Sequence, residues 1–99
     1  MFVQKLPKGI SNFEDIKQLV RSSGSVGANY IEANEALSKK DFLMRIKICR
    51  KEAKETGFWL KLLQVGETGP VDKERSKLLN EAGELMKIFG AILAKSETN

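Results

Sequence analysis

The sequence contains no histidine and a single cysteine, Cys49. One cysteine excludes a disulfide within the chain, and zinc sites are built from Cys and His ligands, so no metal site is expected. The absence of histidine also excludes Ser-His and Cys-His catalysis within one chain. We therefore predict that the protein is not an enzyme, with no catalytic residue and no cofactor.

Long apolar runs are also missing. No stretch approaches the roughly 20 apolar residues that a membrane-spanning helix needs. The N-terminal residues MFVQKLPKGI lack the apolar core of a signal peptide. We expect a cytoplasmic protein without membrane association. Only Pro7 and Pro70 break the chain, so long helices are allowed.

Length and composition favour one small helical domain. The chain has 99 residues, of which 41% are hydrophobic and 30% charged, with a formal net charge of +4. A chain of this size buries a limited core, so burial between subunits would stabilise it considerably. The mild positive charge permits a polyanionic partner.

Apolar periodicity predicts three long helices, over residues 12–37, 39–65 and 72–95, in a single domain of residues 1–99. Residues 1–6 read as the stub of a further helix before a turn at Pro7. Short connections make consecutive helices antiparallel neighbours. The predicted fold is all-α, an antiparallel up-and-down four-helix bundle with a truncated first helix.

The first predicted helix has an apolar stripe with small residues at its centre. The stripe comprises Ile16, Val20, Ser23, Gly27, Tyr30, Asn34 and Leu37. Small side chains allow another backbone to approach closely, so we expect this side to pack. In the second helix Ser38 is the predicted N-cap, with Asp41 three residues later. There Cys49 lies in the stripe and is expected to be packed, while Trp59 is expected in the core or at a subunit contact.

Several polar residues lie on or beside the predicted stripes. We predict a structural polar network that fixes the register of the bundle, formed by Arg21, Asn29, Glu32, Glu52 and Glu55. A buried carboxylate needs a partner. Arg21 is the expected partner of Glu52 and Glu55, with Asn29 as a hydrogen-bond bridge. Acid–base catalysis by the paired carboxylates is the alternative, and a di-metal site is excluded by the missing histidines.

The second predicted helix is strongly basic. Between Ser38 and Lys61 it has eight Lys and Arg residues against three acidic residues, a net +5 that exceeds that of the whole chain. A row of lysines lies away from the apolar stripe: Lys40, Lys47, Lys51 and Lys54. We predict that this row binds nucleic acid, and the alternative is a solvated helix surface.

Sequence blocks across the chain resemble the bacterial four helix bundle protein family, first noted as products of intervening sequences in large-subunit ribosomal RNA genes. The similar blocks are residues 6–9, 21–22, 25–29, 32–33, 38–42, 51–55, 59–60 and 81–85. The resemblance implies a bundle that assembles as a ring, often a pentamer. The sequence is also similar to the accessory protein of diversity-generating retroelements. That protein is a basic pentamer that contacts reverse transcriptase and nucleic acid.

Members of that family usually have a longer first helix before the Leu-Pro turn, whereas five residues precede Leu6 here. Either the chain is truncated or a neighbouring chain completes the bundle. We therefore predict a non-catalytic homo-oligomer that binds RNA, DNA or a protein acting on them, such as a reverse transcriptase. The alternative is a structural or adaptor oligomer without affinity for nucleic acid.

Overall fold

The computed structural model describes Phe2 and residues 10–63 and 70–97. These residues form three α-helices and no strand: α1 (Ile10–Asn34), α2 (Lys39–Leu62) and α3 (Pro70–Glu97). The all-α prediction is confirmed. The predicted stub at residues 1–6 lies outside the described residues except for Phe2. A fourth helix is not found in the described part of the chain.

The central element is α2, which packs against α1 on one side and α3 on the other. Ser22 and Asn29 of α1 contact Thr56 and Arg45, and Leu79 and Gly90 of α3 lie against Gly57 and Arg50. Later residues of each neighbour thus meet earlier residues of α2, so both neighbours run antiparallel to it. In contrast, the backbones of α1 and α3 approach each other at few positions, although the ring centroids of Tyr30 and Phe89 are 6.3 Å apart. The protein is a rod of 48 × 19 × 18 Å, and its third side, between α1 and α3, is open.

The core consists of two apolar clusters along α2. One contains Ala33, Ile46, Cys49, Ala53, Phe89 and Leu93. The other contains Phe2, Leu19, Leu60 and Leu63. Ile46 and Leu60 are the largest fully buried side chains. Burying one such side chain contributes about 1.5–3 kcal/mol, so α2 supplies much of the packing that stabilises the chain.

The α1–α2 junction follows the predicted capping chemistry. Ser38 has an extended backbone, and its hydroxyl accepts a hydrogen bond from the Asp41 amide at 3.1 Å. This contact satisfies one of the amide donors left free at a helix start. The prediction of Ser38 as N-cap is confirmed. Helix α1 ends at Asn34, so Leu37 lies outside it and is fully exposed.

The side of α1 that packs on α2 differs from the predicted stripe. Leu19, Ser22 and Ala33 are buried, whereas Val20 is 47% exposed and Gly27 has no atom within 4 Å of the position of an added Cβ. The packed side is thus rotated from the predicted one. Ser22, with its hydroxyl 3.1 Å from that of Thr56, is a small residue at the helix contact.

Candidate nucleic-acid interface

The predicted lysine row lies on the solvent-facing side of α2. Lys40, Lys47, Lys51 and Lys54 are all exposed, and their spacing of seven, four and three residues keeps them on one side of a helix. At 1.5 Å per residue the row is about 21 Å long. None of the four forms an ion pair within the described ranges.

Two of the three carboxylates of α2, Glu52 and Glu55, form ion pairs with α1. Arg21 of α1 donates to Glu52 at 3.3 Å and also to Glu55. Because both carboxylates are paired with a cation from α1, they do little to neutralise the lysines. The predicted excess of positive charge therefore remains on the side of α2 that faces water.

A cleft of about 530 Å³ runs between the basic side of α2 and α3. Lys47, Arg50, Lys51 and Lys54 line its α2 wall, and Gly90 and Glu97 are among the residues of the α3 wall. The Arg50 guanidinium lies over Gly90, with Nε 3.8 Å and Cζ 3.9 Å from where a Cβ would stand. A cleft with four cations and one carboxylate on its walls is suited to bind a chain of phosphates.

Arg50 was not among the candidate residues from the sequence, although it belongs to the basic excess of α2. In the helix it lies between the lysine row and the apolar stripe, so periodicity did not show to which of the two it belongs. The missing information was in α3, where Gly90 lies in van der Waals range of the guanidinium. A contact between residues 40 positions apart cannot be derived from the periodicity of one helix.

The predicted polar network is only partly brought together. Arg21 contacts Glu52 and Glu55, and the Glu52 side chain is only 9% exposed. Asn29 does not bridge to them: its amide oxygen accepts from Arg45 at 3.0 Å, and its nitrogen donates to the Ser25 carbonyl.

Glu32, the remaining member of the predicted network, is exposed near the C-terminal end of α1. It has no ion pair or hydrogen bond from its side chain within residues 10–63 and 70–97. The cluster that the structure brings together is therefore Arg21 with Glu52 and Glu55.

The Cys49 side chain is fully buried, and its thiol donates to the Val26 carbonyl at 3.6 Å. Burial raises the pKa of the Cys49 thiol, although its backbone hydrogen bond opposes the shift. Within the part of the chain that the structure describes, no three His, Cys, Asp or Glu side chains are placed to hold a metal ion. None of the described helices is long and apolar enough to cross a bilayer.

A known structure shares this arrangement of helices. It is the crystal structure of a protein of unknown function from the S23 ribosomal protein family of Bacteroides thetaiotaomicron. The two sequences are 34% identical, the TM-score is 0.71, and the match covers 87% of this chain and 75% of the other. No curated protein matches the chain.

The family comparison covers almost the whole chain. The model of the 23S rRNA-intervening sequence proteins matches residues 2–91, a range that includes the lysine row, Arg21 and Gly90. The resemblance inferred from the sequence blocks is thereby confirmed. The chain belongs to the 23S rRNA-intervening sequence protein family.

Proposed function

We propose that this protein is a non-catalytic, cytoplasmic homo-oligomer that binds nucleic acid, or a protein that acts on nucleic acid, through the basic side of α2. The observation that carries the proposal is the unpaired row Lys40, Lys47, Lys51 and Lys54. Lysines that a fold does not use for its own ion pairs remain available for phosphates, whose neutralisation releases counterions.

Repetition of the basic side in an oligomer would strengthen binding, because linked sites raise the effective concentration of each other. The open side between α1 and α3 supports such an assembly. Val20 and Leu85 are 47% and 39% exposed there, and they line a groove of about 250 Å³ together with Leu19, Leu60 and Leu78. We propose that a second copy covers this groove and completes a four-helix arrangement, in a ring for which the family resemblance suggests five subunits.

A salt titration tests nucleic-acid binding. A fluorescently labelled RNA of generic sequence is titrated with the protein at several salt concentrations, and binding is followed by fluorescence anisotropy. The affinity is expected to fall steeply with salt, with a log–log slope of about −0.7 for each phosphate that a lysine neutralises on a single strand. A variant with Lys47, Lys51 and Lys54 changed to Glu is expected to lose most of the affinity and of the salt slope.

The matched control keeps the charge change and moves it elsewhere. Three exposed lysines of α1 and α3, Lys17, Lys73 and Lys77, are changed to Glu. Each replacement removes two charges, so both triple variants go from a net charge of +4 to −2. If the control loses as much affinity as the α2 variant, binding follows net charge and the assignment to α2 is wrong. No binding at low salt rejects the nucleic-acid proposal altogether.

The second candidate is an adaptor oligomer without affinity for nucleic acid, which the same apolar groove would assemble. Light scattering coupled to size exclusion tests the assembly. Val20→Glu places a charge in the groove and is expected to dissociate the oligomer without unfolding the protomer. Met44→Glu is the control, since Met44 is also 47% exposed but lies on α2 outside the groove. A wild-type protein that is monomeric at all concentrations contradicts both candidates.

A further inference from the structure

We propose that the basic side of α2 binds single-stranded rather than double-stranded nucleic acid, with Phe58 stacking on a base next to the lysine row. This inference rests on the proposed nucleic-acid function and names the class of strand that the site takes.

Phe58 continues the lysine row toward the end of α2. It follows Lys54 by four residues and Lys51 by seven, spacings that place it on the same side of the helix. From Lys40 to Phe58 the row covers 18 residues, or about 27 Å along the axis. An aromatic ring thus stands at the end of a line of unpaired cations.

Phe58 is a large apolar residue that the protomer leaves exposed. The residue is 53% exposed and belongs to neither core cluster. Its ring is held by a T-shaped contact with Trp59, at 5.0 Å between centroids and 75° between planes. Trp59 in turn packs against the cluster of Leu60 and Leu63. The ring is therefore supported from one side while more than half of the residue stays in water.

Proteins that bind single strands combine a positively charged groove for the backbone with aromatic rings on which bases stack. In this protein the groove is the α2–α3 cleft with Arg50, and the ring is Phe58. A duplex conceals the faces of its bases, so Phe58 has a partner only in an unpaired strand. The same ring is of little use to a protein that reads phosphates alone.

The experiment compares two phenylalanines on three probes. The probes are a labelled single-stranded RNA of about 12 nucleotides, a length within the range that single-strand-binding modules cover, the corresponding duplex, and an abasic strand of equal charge. Phe58→Ala is expected to weaken binding of the single strand by about 5-fold or more and to leave the duplex and the abasic strand unaffected. Phe13→Ala is the control, because Phe13 is 68% exposed on α1 and is expected to change nothing.

Two further measurements distinguish base stacking from a change in the fold. Phe58→Tyr retains a ring and is expected to bind like the wild type, which separates stacking from misfolding. The fluorescence of Trp59, the only tryptophan, is expected to change when the single strand binds but not with the abasic strand.

The inference is wrong if Phe58→Ala lowers the affinity equally for all three probes, or if it does not lower the affinity for the single strand. The proposal for the lysine row stands in both cases. Dissociation of the oligomer by Phe58→Ala also overturns it, since Phe58 would then be a subunit contact. Absence of binding to any probe by the wild type rejects the proposed function itself.

Discussion

The contact of Arg21 with Glu52 and Glu55 allows a quantitative test of the α1–α2 interface. The two carboxylates differ in exposure: the Glu52 side chain is 9% exposed and that of Glu55 37%, while Arg21 is 49% exposed. A charged hydrogen bond contributes about 1.5–3 kcal/mol when it is shielded, and an exposed ion pair about 0–1 kcal/mol. Since Arg21 is half in water, we expect a coupling energy of about 1–2 kcal/mol with Glu52 and less than about 1 kcal/mol with Glu55.

Double-mutant cycles measure both couplings. Arg21→Gln, Glu52→Gln and Glu55→Gln are combined pairwise, and urea unfolding is followed by the fluorescence of Trp59, the only tryptophan. With a slope of about 1.5 kcal/mol per molar urea, loss of the Arg21–Glu52 contact moves the midpoint by about 1 M. Unfolding is repeated at several protein concentrations, because an oligomer becomes more stable with concentration.

Salt separates the two contacts further. At about 1 M salt the Debye length is near 3 Å, so the coupling with Glu55 is expected to vanish while that with Glu52 largely persists. Glu32→Gln is the control, and no change in the free energy of unfolding is expected. If Glu55 couples to Arg21 as strongly as Glu52 does, exposure does not govern these energies and the reasoning fails.

Three more predictions concern a helix cap and the buried thiol. Ser38→Ala removes the acceptor of the Asp41 amide and is expected to lower the free energy of unfolding in urea by about 1 kcal/mol. Ser38→Asp retains an acceptor and is the control. Equal losses for both variants would contradict a capping role. Cys49 is expected to react with an aromatic disulfide reagent at least about 100-fold more slowly in the folded protein than in urea, because modification of a fully buried thiol needs opening of the core. The raised pKa of Cys49 means that the folded state holds the thiol proton more tightly, so stability is expected to fall as the pH rises above about 8.5. Cys49→Ala should remove that part of the pH dependence, and rapid labelling of the folded protein would contradict the burial.

The sequence by itself determined the properties that depend on neighbouring positions along the chain. Helical periodicity, a Ser38–Asp41 pair and the spacing of the lysines are local patterns, and each specifies its structure without knowledge of other elements. Apolar residues every three or four positions require a helix that buries one side. The all-α class, the capped start of α2 and the common side of its lysines were therefore predictable.

Only the tertiary structure decided which residues of different helices meet. Helix α1 offers two sides for packing, one with Leu19 and Ala33 and one with Val20 and Gly27, and periodicity cannot choose between them. Contact with α2 buries the first, while the second stays exposed because the backbones of α1 and α3 approach each other at few positions. Long-range contacts likewise pair Asn29 with Arg45 and place Arg50 over Gly90. The physical reason is that side-chain partners are selected by the distances between helix surfaces, and the pattern within one helix contains no information about its neighbours.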